Sequence, residues 1–297
     1  MLIRSFIALT LGCTLALPAA AQELTGTMKK IKDSGTLTVG YRESSIPFSY
    51  LDDKQQPVGY AMELCGRVID AVKAELKMPA LKIALQPVTS SNRIPLLQNG
   101  TIDMECGSTT NSVERQKTVS FSVSYFVTNV TAAVKKSSGI KSIADLNGKP
   151  VSTTSGSTSV QLIKAHEKGK SIDLKEIYGK DHAESFLLLS DDRVSAFVMD
   201  DILIAGFIAN AKNPADYVFL PEVLRTEPYG IMLRKDDTQF KALADKTLTA
   251  IYKSGEINKI YSKWFQSPIP PKNANLNFPI SKELAELFKN PNDAGVK

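Results

Sequence analysis

From Thr36 onward, short β-rich runs alternate with segments whose apolar residues recur at helical spacing. Thr36 to Gly40 reads as a strand, and Met62 to Lys77 as a helix with Leu64, Val68, Ile69, Val72 and Leu76 on one face. Leu81 to Val88 returns to strand, and Ile94 to Gln98 reads as a short helix that tolerates Pro95 in its first turn and ends at Asn99-Gly100. Thr101 to Cys106 is the next strand. A helix follows from Ser112, where Asn111 and Glu114 have the spacing of a capping box. This strand–helix–strand grammar predicts a largely parallel sheet.

The pattern restarts after the run Phe121 to Phe126. Ser142 to Leu146 reads as a short capped helix, Val151 to Thr153 as a strand and Thr158 to Glu167 as a helix. Ala183 to Leu189 and Ile202 to Ala209 read as helices flanking a strand, Ser195 to Met199, that stops at Asp200-Asp201. A second α/β lobe is therefore expected over residues 128–221. The segment after Pro221 is strand-like at Gly230 to Leu233 and helical from Gln239 to Tyr252, and should rejoin the first lobe, so that two chain crossings make a hinge. Lobe 1 is expected over 22–127 plus 222–297, closing with a Pro-rich stretch, Ser267 to Pro271, and a helix around Lys282 to Phe288.

Composition fits that division. The chain has 297 residues, 43% hydrophobic and 23% charged, enough apolar matter for two modest cores. Its net charge of +5 comes from interspersed rather than blocked residues, which argues against a nucleic-acid arm. At the N-terminus, Arg4 precedes an apolar stretch from Phe6 to Leu17 and then Ala19-Ala20-Ala21, the pattern of a cleaved signal peptide over residues 1–21. Leu11-Gly12-Cys13 hints at a lipid-attachment box, but Thr10 stands where a bulky aliphatic is wanted, so simple cleavage is expected. No later run approaches the roughly 18 apolar residues of a membrane span. An exported, soluble chain is expected. It retains Cys65 and Cys106, which are either bridged or two buried thiols. A bridge would close a loop of about forty residues and stabilise the fold by about 3–4 kcal/mol. Neither cysteine has metal-knuckle spacing.

The common catalytic spacings are missing: no GxSxG, HExxH, CxxC, GxGxxG or GxxxxGK[ST] occurs, and the chain has 2 histidines, His166 and His182. Arginines carry more information. Arg42 follows the first strand, Arg93 opens a helix after Ser90 and the second strand, and Arg115 opens a helix after the third strand and the loop holding Ser108 and Thr110. All three loops leave the carboxyl ends of expected parallel strands, where open α/β sheets form ligand crevices. Guanidinium forks, hydroxyls and helix N-termini favour carboxylate or phosphate. In the second lobe, Thr154 to Ser159 lies between a strand and a helix and can turn amides and hydroxyls toward an anion, although an ordinary helix cap would need only one of them. Of Asp200 and Asp201, one can cap the following helix while the other faces the cleft. His182 either donates a hydrogen bond to a carboxylate or is a further loop residue.

Several blocks resemble one family: Arg42 to Tyr50, Ser91 to Gly100, Glu105 to Asn111, Val113 to Gln116, Met199 to Asp201 and Pro268 to Asn273 are similar to the periplasmic glutamate/aspartate-binding proteins of ABC transporters, solute-binding protein family 3. The likeness runs in order along nearly the whole mature chain. It implies a two-lobed, hinged type II periplasmic-binding-protein fold, each lobe a mixed, mostly parallel sheet flanked by helices. It further implies a periplasmic, monomeric receptor without cofactor or metal, which closes around one acidic amino acid and delivers it to an inner-membrane permease. By the same resemblance, Arg115, Ser108, Thr110 and Thr158 hold the α-carboxylate, Asp200 the ammonium, and Arg42, Ser90, Arg93 and His182 the side-chain carboxylate. The best-known members carry a second cysteine where this chain has Ile231, so that Cys65 becomes the candidate partner of Cys106. Two other classes share the fold, a dehydratase-like enzyme and a chemosensory ligand-binding protein. The enzyme is disfavoured because Asp200 or Glu105 would have to act without a visible catalytic partner.

Overall fold

The computed structural model describes residues 23–297. The expected leader over residues 1–21, with Cys13, lies outside the described residues. Two mixed sheets dominate. In the first, the strands Lys82–Pro87, Thr36–Tyr41 and Met104–Cys106 lie side by side and parallel, followed by Met232–Arg234 and Val119–Phe121, with Met232–Arg234 antiparallel to both its neighbours. In the second, Lys175–Gly179, Pro150–Thr154 and Ala196–Asp200 are parallel neighbours, and the long strand Phe126–Lys135 runs antiparallel to Ala196–Asp200. Each sheet thus holds three adjacent parallel strands and antiparallel additions. This is the two-lobed type II fold, with helices packed on both sheets.

The two lobes are joined at a pair of antiparallel strands. Phe126–Lys135 pairs with Arg225–Tyr229, in a register that sets Phe126 opposite Tyr229 and Val130 opposite Arg225. Beneath the crossing lies an aromatic cluster: Phe48 packs edge-on against Phe126 and Tyr229 at centroid distances of 4.8 and 5.2 Å, and Phe265 stacks on Phe126 at 5.1 Å. All are fully buried. Each such ring contributes roughly 1.5–3 kcal/mol through burial, so the crossing rests on an ordered base.

The helix expected over 62–77 runs Tyr60–Glu75 and turns Leu64, Cys65, Val68 and Val72 inward. Cys65 is bonded to Cys106, at the end of a strand, across a sequence separation of 41 residues. Two local readings change. Ser112, not Asn111, caps the helix Val113–Gln116, its hydroxyl accepting from the backbone N–H of Arg115. Asn111 instead accepts from the Gln116 amide and donates to the carbonyl of Asp293. The strand expected over 230–233 runs Met232–Arg234 in the first sheet and is preceded by a strand the sequence did not announce, Arg225–Tyr229, in the second.

Candidate functional site

Both lobes offer the same geometry to the cleft between them. In the first, Arg42, Ser90 with Arg93, and Ser108 with Thr110 follow the carboxyl ends of the three parallel strands. In the second, Thr158 and His182 are the first residues of helices that follow two of the parallel strands, and Asp200 ends the third. Parallel order forces these ends to one edge, and closure brings the edges together. Arg42 is 1% exposed, Arg93 2%, His182 2% and Asp200 5%, so four ionisable groups share a nearly dry chamber. Outside it, a cavity of about 750 Å³ opens between Ser90, Ser91 and Arg115 on one side and Ser155, Gly156 and Thr158 on the other. The deeper residues do not line this mouth.

At one end, Arg42 Nη2 donates to Ser90 Oγ at 2.9 Å and meets His182 Nε2 at 3.3 Å across the cleft. A guanidinium has no acceptor, so Nε2 must accept, and the proton of neutral His182 sits on Nδ1, which donates to Thr154 Oγ1 at 2.8 Å. Burial, then Arg42 and Arg93, push His182 well below its ordinary range, which agrees with a neutral ring. Arg93 Nη1 donates to Thr109 Oγ1 at 2.6 Å, and Thr109 donates in turn to Glu105 Oε2 at 2.5 Å. Burial and the neighbouring Arg93 bring Arg42 down to about 10, still charged at neutral pH.

At the other end, half-buried Arg115 donates to Thr110 O at 2.9 Å and to Gly156 O of the facing lobe at 3.3 Å. Burial of its guanidinium and repulsion from Arg93 bring it to about 9. Glu227, fully buried on the crossing strand, accepts from Thr110 Oγ1 at 2.5 Å and Thr158 Oγ1 at 2.8 Å, while Arg225 grips its other oxygen at 2.9 and 2.6 Å. Tyr229, on the same face of that strand, donates to Asp200 Oδ2. Burial and nearby Glu227 push the Asp200 carboxyl well above its usual range.

All nine residues singled out by sequence gather here. Sequence reasoning passed over Arg225, Glu227 and Tyr229, and included Thr109 and Thr154 only as members of longer loop segments; Thr154 bonds His182 rather than facing an anion. The one local signal was the spacing of Glu227 and Tyr229, two apart and so on one face of a strand. Five atoms of the chamber are buried with no hydrogen-bond partner in the protein: Arg42 Nη1, Arg93 Nε, Ser108 Oγ, Asp200 Oδ1 and Glu105 Oε1, the last facing Arg93 Nη1 at 3.9 Å and so already matched by a cation. Two cationic donors, a hydroxyl and an anionic acceptor are the complement of a small molecule bearing both carboxylate and ammonium. Among the described residues, no group of three or more His, Cys, Asp or Glu is placed to hold a metal ion, and no helix is long and apolar enough to cross a membrane.

Comparison with known proteins agrees. The profile of the bacterial extracellular solute-binding proteins, family 3, matches residues 37–267. An L-glutamate/L-aspartate-binding protein of Pseudomonas aeruginosa is 51% identical over 284 residues, covering 95% of this chain and 94% of that protein. A glutamate/aspartate import solute-binding protein of Escherichia coli is 47% identical over 293 residues, covering 98% and 97%. Among solved structures, a mutant ArgBP from T. maritima superposes with a TM-score of 0.72 at 28% identity, covering 81% of this chain and 100% of that one.

Proposed function

Because the chain belongs to family 3 of the bacterial extracellular solute-binding proteins, we propose that it captures L-glutamate or L-aspartate between its lobes and delivers it to the permease of an ABC importer. It is a transport receptor rather than an enzyme, working in the periplasm. The observation that carries this reading is the set of unpartnered atoms: two guanidinium nitrogens beside the free carboxylate oxygen of Asp200. Burial, and repulsion among Arg42, Arg93 and Arg115 across the cleft, lower Arg42 and Arg115, and an anionic ligand relieves that repulsion. An acidic amino acid carries a net charge of minus one. Glutamine carries none, and would leave Arg42 desolvated without a counter-charge and Arg93 with only Glu105, 3.9 Å away.

In this reading Arg115, Ser108 and the backbone N–H groups of Thr110 and Thr158 hold the α-carboxylate, Asp200 takes the ammonium, and Arg42, Ser90 and Arg93 receive the side-chain carboxylate. His182 serves this last group by accepting from Arg42 and aiming its free Nη1. Lobe 1 comprises residues 22–127 and 222–297 and lobe 2 residues 128–221, and the receptor acts as a monomer. Differential affinity for the closed form shifts the population toward the state the permease reads. The test is calorimetry with an amino-acid panel on protein unfolded and refolded to remove carried ligand. Glutamate and aspartate should bind and glutamine should not; Arg93→Ala should weaken acidic ligands selectively, whereas Arg115→Ala should abolish binding of every amino acid. Equal affinity for glutamate and glutamine would refute the assignment.

A further inference from the structure

We propose that Glu227 is a positioning residue that fixes the polarity of the ammonium end of the cleft, by taking the single hydroxyl proton of Thr110 from one lobe and of Thr158 from the other. The inference rests on the glutamate/aspartate reading of the same cleft. Arg225 approaches Glu227 Oε1 through two nitrogens, at 2.9 and 2.6 Å, so a guanidinium pairs the carboxylate and Oε2 is left to the two hydroxyls. A charged carboxylate only accepts. Both threonine hydroxyls, at 2.5 and 2.8 Å from Oε2, must therefore donate to it.

A hydroxyl has one proton. Once that proton points at Glu227, the hydroxyls of Thr110 and Thr158 can offer a ligand only lone pairs, and donation to a carboxylate falls to their backbone N–H groups. Asp200 Oδ1 adds a third buried acceptor, its carboxylate held by the hydroxyl of Tyr229 on the same strand as Glu227. The loop that carries Thr110 is itself stitched to that strand: Thr110 bridges to Tyr229, and Asn111 N donates to Pro228 O at 2.8 Å. Three acceptors match the three N–H bonds of a primary ammonium. Glu227 thereby makes the cleft choose amino acids over dicarboxylates that lack the amine. Because its two threonines come from opposite lobes, it also favours the closed form.

The test compares L-glutamate with 2-oxoglutarate, which keeps both carboxylates and replaces the ammonium carbon by a carbonyl. In Glu227→Gln the amide NH₂ can donate to the threonine oxygens and release their protons toward the ligand. The ratio of glutamate to 2-oxoglutarate affinity, measured by calorimetry, should fall about tenfold or more, the scale of a hydrogen bond to a charged group. An unchanged ratio in the folded variant overturns the role of Glu227 while leaving the functional reading intact; a wild type that binds no glutamate overturns both. If Glu227→Gln fails to fold, Thr158→Val and Thr158→Ser decide the matter. The valine should narrow the ratio and the serine preserve it, and equal ratios in the two overturn the proposal.

Discussion

Tyr229 donates its phenolic proton to one oxygen of Asp200 and leaves the other oxygen bare. Both side chains are buried, and the phenol, followed by Arg115, stabilises a carboxylate otherwise destabilised by burial and by Glu227. Tyr229→Phe removes that donor without altering the shape of the ring. The Asp200 carboxyl should then hold its proton more strongly and offer less charge to an ammonium. We expect glutamate affinity at pH 7 to fall by about 1–2 kcal/mol, with partial recovery as the pH is raised. Calorimetry from pH 6 to pH 9 reads this directly, and an affinity loss independent of pH would point to packing alone.

His182 makes stability depend on pH in a defined direction. Its folded pKa is lowered by burial, Arg42 and Arg93, whereas the unfolded imidazole titrates near 6.5, as an unperturbed histidine does. Below that pH the unfolded chain binds a proton that the folded protein refuses, so this contribution is complete above about 6.5 and is lost as the pH falls. The loss approaches about 1.4 kcal/mol per pH unit. Asp200 acts in the opposite direction, because a raised carboxyl pKa costs stability as the pH rises above its unfolded value. The wild type should therefore be compared with His182→Gln, which retains an acceptor for Arg42 and cannot titrate. Denaturant unfolding of the ligand-free proteins at pH 7.5, 6.5, 5.5 and 5.0 should show the wild type losing stability relative to the variant. Parallel curves would exclude a neutral buried ring.

What could be read from the sequence was what is local. Arg42, Arg93 and Arg115 were recognisable because each follows a strand and the helix grammar around it is contained within a few residues. Thr158 and His182 were recognisable as helix starts for the same reason. Glu227 was not: its hydroxyl partners lie 117 and 69 residues away, and its strand carries Pro228 and shows no run of apolar alternation. The long strand Phe126–Lys135 also escaped assignment, since its burial passes from alternating to continuous as it enters the second lobe and fits no single period. Asn111 has the right spacing for a capping box, but the C-terminal segment competes for it: Asp293 and Val296 both bond to Asn111, and the cap falls to Ser112.

Closure depends on the absence of a side chain at Gly156. Its φ is +77°, and a Cβ there would stand 2.6 Å from Ser91 Cα and 2.7 Å from Ser91 N, on the opposite lobe. Gly156→Ala combines about 1–2 kcal/mol of left-handed backbone strain with a contact that backbone atoms cannot relieve by rotation. The contact exists only in the closed form, so the penalty should appear mainly in binding. Glutamate affinity is expected to fall at least tenfold (roughly 1.4 kcal/mol). The radius of gyration from small-angle scattering should shrink less on adding saturating glutamate than it does for the wild type. Full closure of the variant with wild-type affinity would mean that the lobes approach differently around Ser91.

The Cys65–Cys106 bond ties the helix Tyr60–Glu75 to the strand end from which Ser108, Thr109 and Thr110 emerge. Ile231 is fully buried between Arg225–Tyr229 and Met232–Arg234 and packs as an ordinary core residue. Closing a loop with a sequence separation of 41 residues removes disorder from the unfolded chain, an effect of about 4 kcal/mol in the chain-entropy model. Cys65→Ala with Cys106→Ala should reduce unfolding free energy by about 3–4 kcal/mol, plus a smaller term for the two small cavities. Adding a reductant to the wild type should bring its denaturant midpoint close to that of the double variant. Because the entropy term belongs to the unfolded state, glutamate should still bind the folded double variant with affinity within a few-fold of wild type (about 1 kcal/mol or less). A large affinity loss at unchanged stability would instead assign the bridge to holding the Ser108–Thr110 loop in place.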